Sequence, residues 1–376
     1  MNMKVCVSGG GNIGIALCCY LKQTGCELSL LTSKPTAWGN AVTYTEGGSD
    51  RTFEVALDTV TDDPQKALSG AGIIFITQPS FLIEDLIARL EPFLDSGTVI
   101  CFVPGPGGKE FVCDRLLARG FVIAGLDRAP CVSRIQEPYR SVIASKKPAV
   151  RCGTLPAHRA SSVASLIASL LDMTCLPLAN YFTVSLTPTN PILHTARLFS
   201  LLGNPDSSQN TEGFTHKLLF YGEWDDRASS CLLNMDAELQ TICASFDNMD
   251  LSGVIPLTEH YESATVQELT DKIRSIRSLK NISAPLLERD GRWEPDRNSR
   301  YFREDFPFGL CELRAFADIA SVSCPTIDKA LTWYEQFAGV QYYRDGSFTG
   351  EGLTKSLLPQ HYGLRSKQDI GRFYLG

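Results

Sequence analysis

A glycine-rich loop near the start of the chain constrains the fold more than any other feature of the sequence. It follows a short apolar run at residues 3–8 and precedes apolar residues at helical spacing. The pattern is G-x-G-x-x-G, and its residues are Gly9, Gly10, Gly11, Asn12, Ile13 and Gly14. Strand, tight turn and helix in this order predict the first βαβ unit of a parallel sheet.

The spacing of the three glycines suits a bound dinucleotide. Gly9 permits the tight turn, Gly11 lets the backbone approach a pyrophosphate, and Gly14 lets the helix pack closely on the strand. The helix N-terminus then offers its partial positive charge to the phosphates. A glycine-rich loop without a ligand is the alternative, but strand, spacing and helix together favour dinucleotide binding.

The end of the second predicted strand indicates which dinucleotide is preferred. NAD-selective loops usually carry an acidic residue about 20 residues further on, which binds the ribose 2′-hydroxyl. This sequence has Thr32, Ser33 and Lys34 at that place. Two hydroxyls and an ammonium suit a 2′-phosphate, so NADPH is the predicted cofactor and NADH the second candidate. A solvated loop lysine is the alternative interpretation of Lys34.

Two more segments follow apolar strands predicted at 72–77 and 98–103. Ligands of open α/β sheets lie outside the carboxyl ends of the strands, so both segments are expected to line the nicotinamide ribose and ring. In the second segment glycines allow close backbone approach, and a plain turn is the alternative. The candidate residues are Thr77, Gln78, Pro79, Pro104 and Gly105.

Strand signals are concentrated in the first part of the chain, where the apolar runs lack the polar alternation of a half-exposed sheet. Past residues 146–148 these signals fade, and apolar residues recur at three- and four-residue steps, as in 225–246. The length of 376 residues suits two domains. The predicted architecture is α/β, with a Rossmann dinucleotide-binding domain at 1–180 and an all-α domain at 181–376.

Composition excludes several classes of protein. The 35 Lys and Arg residues against 42 Asp and Glu residues give a net charge of −7, which argues against nucleic acid or an anionic membrane as partner. The 13 cysteines are odd in number and show no C-x-x-C spacing, which argues against a disulfide framework or a zinc site. No run reaches membrane-spanning length. We expect a cytoplasmic protein that holds no metal.

One histidine in the second half stands at the start of a predicted helix. Asn190 and Pro191 suit a helix N-cap and first position, which places His194 one turn further on, above Asn190. Arg197 follows at i+3 and shares that face. A capping asparagine with a structural histidine is the alternative, and spacing alone does not exclude it.

A segment dense in charged and aromatic residues, 299–310, directly precedes another predicted helix. Such a mixture is typical of a loop that meets a ligand. Asp305 could fix the tautomer of His194 and stabilise its protonated form. A solvated loop with local ion pairs is the alternative.

With the GGGNIG loop, the NPILH segment and the RYFREDFPFGL segment together, the sequence resembles the octopine/nopaline (opine) dehydrogenases over most of its length. The resemblance implies reductive condensation of the α-amine of an amino acid with an α-keto acid, using a nicotinamide cofactor. It also implies that His194 is the acid/base, that Asp305 is its partner with Asn190 beside them, and that Arg300 reaches the cofactor pyrophosphate. It leaves a homodimer open.

The segment 125–134 departs from the family pattern, which leaves substrate specificity open. Arg134 could bind a substrate carboxylate, as could Arg197, although an ordinary salt bridge is the alternative for Arg134. Two other functions are kept: a keto-acid reductase of the same architecture, of ketopantoate or 2-hydroxyacid type, and a non-catalytic NADP(H)-sensing protein. The acid/base residues disfavour the sensor.

Overall fold

The computed structural model describes residues 3–49, 51–187, 190–203, 213–344 and 347–376. The chain divides into two compact units, one of Met1–Ser185 with Gly371–Gly376 and one of Leu186–Ile370. The sequence-based boundary at 180 is close to the first division. The tail, expected in the helical domain, instead returns to the first unit.

The first unit contains two β-sheets. The strands are β1 Lys4–Ser8, β2 Glu27–Leu31, β3 Ala41–Glu46, β4 Thr52–Ala56, β5 Thr59–Thr61, β6 Ala71–Ile76, β7 Val99–Phe102, β8 Val122–Leu126, β9 Cys131–Glu137, β10 Ser141–Lys146, β11 Ala149–Leu155 and β12 Thr174–Pro177. The larger sheet has the order β12-β11-β8-β7-β6-β1-β2-β5. From β5 to β8 its neighbours are parallel, as a doubly wound fold requires.

The order of this sheet creates a ligand crevice. From β1 the chain proceeds to β2 on one side and later to β6 on the other, so β1 and β6 are neighbours with a crossover on each side. The carboxyl ends of two such strands leave an open crevice at the sheet edge. The predicted Rossmann architecture is therefore confirmed.

The helices of the first unit cover the sheet. They are α1 Asn12–Gln23, α2 Pro35–Trp38, α3 Pro64–Leu68, α4 Ile83–Leu90, α5 Asp114–Ala118, α6 Ala160–Leu171 and α7 Phe182–Ser185. Residues 15–21 of α1 are all buried, because this helix packs against the large sheet, α6 and the smaller sheet. A helix covered on several sides is apolar nearly all round.

The smaller sheet has the order β4-β3-β10-β9, and its hairpin of β9 and β10 was not predicted. The expectation that strand signals fade near residue 146 also missed β11 and β12. Their residues alternate or are mildly polar, so periodicity alone does not distinguish them from loop. Pairing with the existing sheet edges, which is a tertiary effect, makes them strands.

The second unit is mainly helical. Its helices are α8 Asn190–Leu202, α9 Asp226–Ser245, α10 Leu257–His260, α11 Val266–Ser275, α12 Arg300–Arg303, α13 Cys311–Ala320, α14 Pro325–Ala338 and α15 Lys367–Leu375, whose last turn belongs to the first unit. One antiparallel hairpin, β13 Leu286–Arg289 with β14 Arg292–Pro295, corrects the all-α expectation. The helical packing that dominates the unit is confirmed.

The returning tail is held by a buried carboxyl group. Glu110 is fully buried, and its Oε1 accepts hydrogen bonds from the hydroxyls of Ser185 and Tyr374, the latter at 2.7 Å. The Tyr374 ring stacks on Phe182, with centroids 4.7 Å apart. Aromatic packing and hydrogen bonds to a buried carboxyl group explain why Gly371–Gly376 belongs to the first unit.

Within the described ranges no helix is long and apolar enough to cross a membrane.

Candidate cofactor and acid–base sites

The geometry of the glycine loop fits a pyrophosphate. Gly9 has φ +111°, a value that favours glycine, and α1 begins at Asn12. A Cβ on Gly14 would overlap the Gly9 carbonyl oxygen, so this position requires the closest helix–strand approach. At Gly11 a Cβ would meet nothing within 4 Å. The open side of the loop is therefore where phosphates can approach the start of α1.

Thr77 and Gln78, which follow β6, lie against this loop, and their contact with the nicotinamide ribose and ring stays a prediction. The Thr77 hydroxyl donates to the Ser8 carbonyl at 3.0 Å, and Gln78 Nε2 donates to the Ser8 hydroxyl at 2.7 Å. Gln78 Oε1 is buried without a hydrogen-bond partner among the described residues. Because an unmet buried acceptor is costly, this oxygen is suited to a cofactor hydroxyl.

The loop after β2 is assembled with residues that the sequence analysis missed. The Thr32 hydroxyl accepts from the backbone N–H of Lys34 at 3.3 Å, and the exposed Lys34 Nζ donates to the Tyr139 hydroxyl at 2.8 Å. That hydrogen bond raises the pKa of Lys34. The Tyr139 ring meets the Trp38 ring edge-on at 5.3 Å. Ser33 is exposed beside them.

Two other residues of the predicted cofactor loop are partly structural. The Asn12 side chain accepts from the backbone N–H of Ile135 at 2.8 Å, which ties the start of α1 to β9. Ile13 is half-buried at the same helix turn. Only the tertiary structure shows this link, because the two ends of the hydrogen bond are 123 residues apart.

The segment after β7 has a packing role that the sequence analysis did not predict. The peptide between Val103 and Pro104 is cis, and the Gly105 N–H donates to the Leu126 carbonyl at 2.7 Å. A Cβ on Gly105 would clash with Val184 and crowd Gly125. Gly105 therefore lacks a side chain for internal packing. Contact of Pro104 or Pro79 with the nicotinamide stays a prediction.

The second unit brings His194 and Asp305 together. His194 lies in the second turn of α8, and its Nδ1 is 2.8 Å from the Asp305 carboxylate. Both residues are only 8% exposed. The other ring nitrogen, Nε2, is 2.8 Å from the hydroxyl of Tyr221, which the sequence analysis did not single out. A carboxylate, an imidazole and a phenol thus form one hydrogen-bonded row.

Asp305 lies directly before an irregular helical turn. It is the last residue before a π-helical turn at Phe306–Leu310, whose Leu310 N–H donates to the Asp305 carbonyl at 2.8 Å. Pro307 and Gly309 disfavour a regular α-helix within this turn. Inserted π-turns of this kind occur frequently at functional sites.

Aromatic side chains enclose the imidazole. The ring centroids of Tyr301 and Phe220 lie 4.5 Å and 5.6 Å from that of His194. Tyr221 in turn stacks on Trp224, with the ring planes 6° apart. Burial raises the pKa of Tyr221 well above its ordinary value, and the nearby Tyr301, Tyr261 and Asp305 raise it further. Tyr221 is therefore a neutral phenol.

Three other predicted site residues are exposed to solvent. Asn190 is exposed and is itself the first helical residue of α8. Arg300 is exposed at the start of α12, and Arg134 is exposed on β9, where its guanidinium donates to the neighbouring Ser133 carbonyl. Their ligand contacts stay predictions.

Arg197 is used by the protein's own acceptors. It is 2% exposed, and its guanidinium donates to the carbonyls of Phe220 and Glu223 and to the Asp225 carboxylate, at 2.6–3.2 Å. Desolvation lowers the pKa of Arg197, and Asp225 opposes this. This geometry gives no support to the predicted substrate role. It shows Arg197 fixing the segment that carries Tyr221.

Comparisons with known proteins agree with both units. The profile described as NAD/NADP octopine/nopaline dehydrogenase, alpha-helical domain, matches residues 177–338, and the ketopantoate reductase PanE/ApbA profile matches residues 5–130. Octopine dehydrogenase of Pecten maximus is 27% identical, over 98% of this chain and 99% of its own. Tauropine dehydrogenase of Arabella iricolor is also 27% identical, over 97% and 98%.

Solved structures share the fold. The structure of octopine dehydrogenase with NADH and L-arginine matches with a TM-score of 0.85 at 24% identity, over 98% of both chains. Yersinopine dehydrogenase with NADP+ matches with a TM-score of 0.68 at 11% identity, over 96% of this chain and 99% of its own.

A Rossmann unit with an intact phosphate loop, together with a helical unit that buries a histidine–carboxylate pair, is the architecture of two-domain NAD(P)-dependent oxidoreductases. The helical unit is similar to the octopine/nopaline dehydrogenases in particular, and the similarity to octopine dehydrogenase extends along nearly the whole chain.

Proposed function

We propose that the protein condenses the α-amine of an amino acid with an α-keto acid such as pyruvate, and reduces the resulting imine to an N-(1-carboxyalkyl) amino acid. The observation that carries this proposal is the buried row of Asp305, His194 and Tyr221 in the helical unit. Loss of water from a carbinolamine needs a proton donor, and a positioned histidine is suited to that role.

The hydrogen bonds indicate which nitrogen of His194 works. An ionised carboxylate only accepts hydrogen bonds, so Nδ1 keeps its hydrogen toward Asp305. The proton that is gained and lost is therefore on Nε2, on the side of Tyr221. Asp305 also stabilises the imidazolium form by its charge. This is the arrangement of an acid/base pair rather than of a passive binding site.

The first unit supports the cofactor part of the proposal. The start of α1 at Gly11 and Asn12 would hold the pyrophosphate, and Gln78 Oε1 a ribose hydroxyl. Thr32, Ser33 and Lys34 would receive a 2′-phosphate at the end of β2, which favours NADPH over NADH. When bound, the nicotinamide supplies the hydride. We assign Arg300 to the pyrophosphate on the family resemblance.

Several finer assignments are also proposed. Arg134 would bind a substrate carboxylate, since its guanidinium is exposed. The 13 cysteines carry no disulfide, which supports a reducing, cytoplasmic environment. A homodimer is the expected assembly, and light scattering after size-exclusion chromatography measures it directly.

A keto-acid reductase is the second candidate, because residues 5–130 match the ketopantoate reductase profile. Among the described residues no group of three or more His, Cys, Asp or Glu side chains is arranged to hold a metal ion. The opine dehydrogenase and the keto-acid reductase would use the same acid/base residues. The two functions differ in their substrates.

The deciding experiment is a screen of NADPH oxidation by the purified full chain. Amino acids are tested against pyruvate and other α-keto acids, each substrate also alone. We expect turnover that requires both an amine and a keto acid, with a secondary amine product confirmed by mass spectrometry. Equal turnover with the keto acid alone would establish the reductase instead.

A further inference from the structure

Both ring nitrogens of His194 are already engaged by protein groups. Nδ1 is 2.8 Å from Asp305 and Nε2 is 2.8 Å from the Tyr221 hydroxyl. An acid/base that touches substrate directly needs one nitrogen facing it. Here the atom next along the row, on the far side of Nε2, is the phenol oxygen of Tyr221.

Tyr221 is held in that place by its surroundings. It is 4% exposed, its ring stacks on Trp224, and it meets Phe220 edge-on with centroids 4.9 Å apart. Arg197 holds the same segment in place, because its guanidinium donates hydrogen bonds to the carbonyls of Phe220 and Glu223. A hydroxyl on a ring packed this firmly has little freedom to leave Nε2.

A neutral phenol can pass a proton on without storing it. Its oxygen accepts from imidazolium Nε2–H while its own hydrogen is donated elsewhere, so one proton enters and another leaves. Tyr301, half-buried, packs beside the His194 ring with the ring centroids 4.5 Å apart. In a relay, His194 Nε2 is the inner partner of the Tyr221 hydroxyl and the substrate is the outer one.

We propose that Tyr221 is a catalytic residue through which His194 exchanges its proton with the substrate. The inference rests on the proposed imine chemistry. The carbinolamine hydroxyl takes the Tyr221 proton, its C–O bond breaks, and the electron pair leaves with water as the amine nitrogen forms the iminium. The Tyr221 oxygen takes the proton of His194 Nε2 in the same step, so the phenol is restored and the imidazole becomes neutral.

The test is Tyr221→Phe, which keeps the stacked ring and removes only the hydroxyl. We expect kcat to fall about 10²–10⁴-fold, the range typical of positioned acid/base groups, while the Kd of NADPH is unchanged. Because two protons move together in the wild type, a proton inventory in H2O–D2O mixtures should be curved, and the residual turnover of the variant should lose this curvature.

A matched control separates the relay from a general loss of a buried hydroxyl. Tyr334→Phe removes the hydrogen bond from a buried tyrosine to the Phe302 carbonyl in the same unit, away from the imidazole. We expect a small fall in Tm and near wild-type kcat for this variant. A Tyr221→Phe variant that does not fold is recognised by its Tm, and Tyr221→Met then tests the same hydroxyl with a flexible apolar side chain.

Two outcomes overturn the inference. If Tyr221→Phe turns over as fast as the wild type or faster, Tyr221 only covers Nε2 and yields to substrate. If kcat falls but the inventory stays curved, the hydroxyl orients His194 without carrying its proton. Failure of the proposed function looks different, because the wild type itself would then show no turnover that depends on the amine.

Discussion

The imidazole of His194 and the carboxylate of Asp305 lie 2.8 Å apart, although 111 residues separate them in the chain. Two different helical segments bring them together: the second turn of α8 carries His194, and the residue before a π-turn carries Asp305. The pair defines the acid/base centre of the helical unit, and its removal is the first test of that assignment.

His194→Ala and Asp305→Asn should each lower kcat by about 10²–10⁴-fold while NADPH still binds, because the phosphate loop lies in the other unit. The double variant should be little slower than His194→Ala, since residues that act as one group are not additive. Steady-state kinetics and NADPH fluorescence titration measure both effects. His216→Ala is the control, because His216 pairs with Glu223 at the surface; losses of only two- or three-fold at His194 would return it to a structural role.

Lys34→Glu should shrink or reverse the preference for NADPH over NADH, by about 10- to 100-fold in the ratio of kcat/KM. An attractive charge beside the 2′-phosphate is replaced by a repulsive one. Lys66→Glu makes the same charge change on α3, which packs near the start of β1 rather than its end, and should leave the ratio unchanged. A wild-type enzyme without a cofactor preference would remove the role given to Thr32, Ser33 and Lys34.

Two alanine substitutions in the phosphate loop should behave in opposite ways. Gly11→Ala adds a methyl group in open space, so Tm should hardly change while the Kd of NADPH rises about tenfold or more. Gly14→Ala places the methyl group on the Gly9 carbonyl oxygen, so Tm itself should fall. Thermal unfolding with and without NADPH measures both. Equal cofactor affinity in Gly11→Ala would contradict the proposed path of the pyrophosphate.

Arg197→Ala should act on stability before it acts on substrate affinity. Removing the guanidinium leaves the Phe220 and Glu223 carbonyls without their donor, and a buried polar group left unsatisfied costs about 1–3 kcal/mol. Chemical denaturation measures the change, with Arg227→Ala on the exposed face of α9 as control. An unchanged free energy of unfolding with a raised KM for the keto acid would restore the substrate role.

Glu110 should make the stability of the first unit depend on pH. Burial raises the pKa of Glu110, so the folded state holds its proton more tightly than the unfolded state. The stability that this group contributes is present below its ordinary pKa and is lost as pH rises through the raised value. Glu110→Gln keeps an acceptor for Ser185 and Tyr374 without a charge. Its stability relative to the wild type should therefore increase as pH rises from 5 to 8, measured by chemical denaturation at each pH.

Tyr374→Phe is the companion variant for that experiment. It removes one hydrogen bond to Glu110 but keeps the ring stacked on Phe182. Its unfolding should still change with pH as in the wild type, because the carboxyl group remains. A pH profile of Glu110→Gln that runs parallel to that of the wild type would show that Glu110 titrates normally.

The sequence was most informative where local pattern and local geometry coincide. The loop from Gly9 to Gly14 must be glycine at fixed positions to turn and to pack, so its spacing alone predicted the site and the first βαβ unit. Asp225, of a residue type that favours the N-cap position, likewise accepts from the Ala228 N–H at the start of α9. Short-range steric contacts and hydrogen bonds restrict which residue types can occupy such positions, so the sequence pattern predicts them.

Contacts between residues that are distant in the sequence could not be predicted from sequence patterns. Tyr139 reaches Lys34 only because the unpredicted hairpin of β9 and β10 folds over α1. Tyr221 is not part of a recognisable motif, and its hydrogen-bond partner His194 is 27 residues away in the sequence. For Arg197 the pattern was misleading. Its helical position suggested a ligand contact, but its guanidinium donates hydrogen bonds to backbone carbonyls.

The sequence by itself determined the Rossmann fold, the phosphate loop and the candidate pair of His194 and Asp305, because steric needs and chemical type are written in residue identity and spacing. Only the tertiary structure decided which side chains complete those sites. Hydrogen bonds such as those of Tyr221 and Glu110 depend on directions within a few tenths of an ångström, and packing sets these directions after distant segments have met.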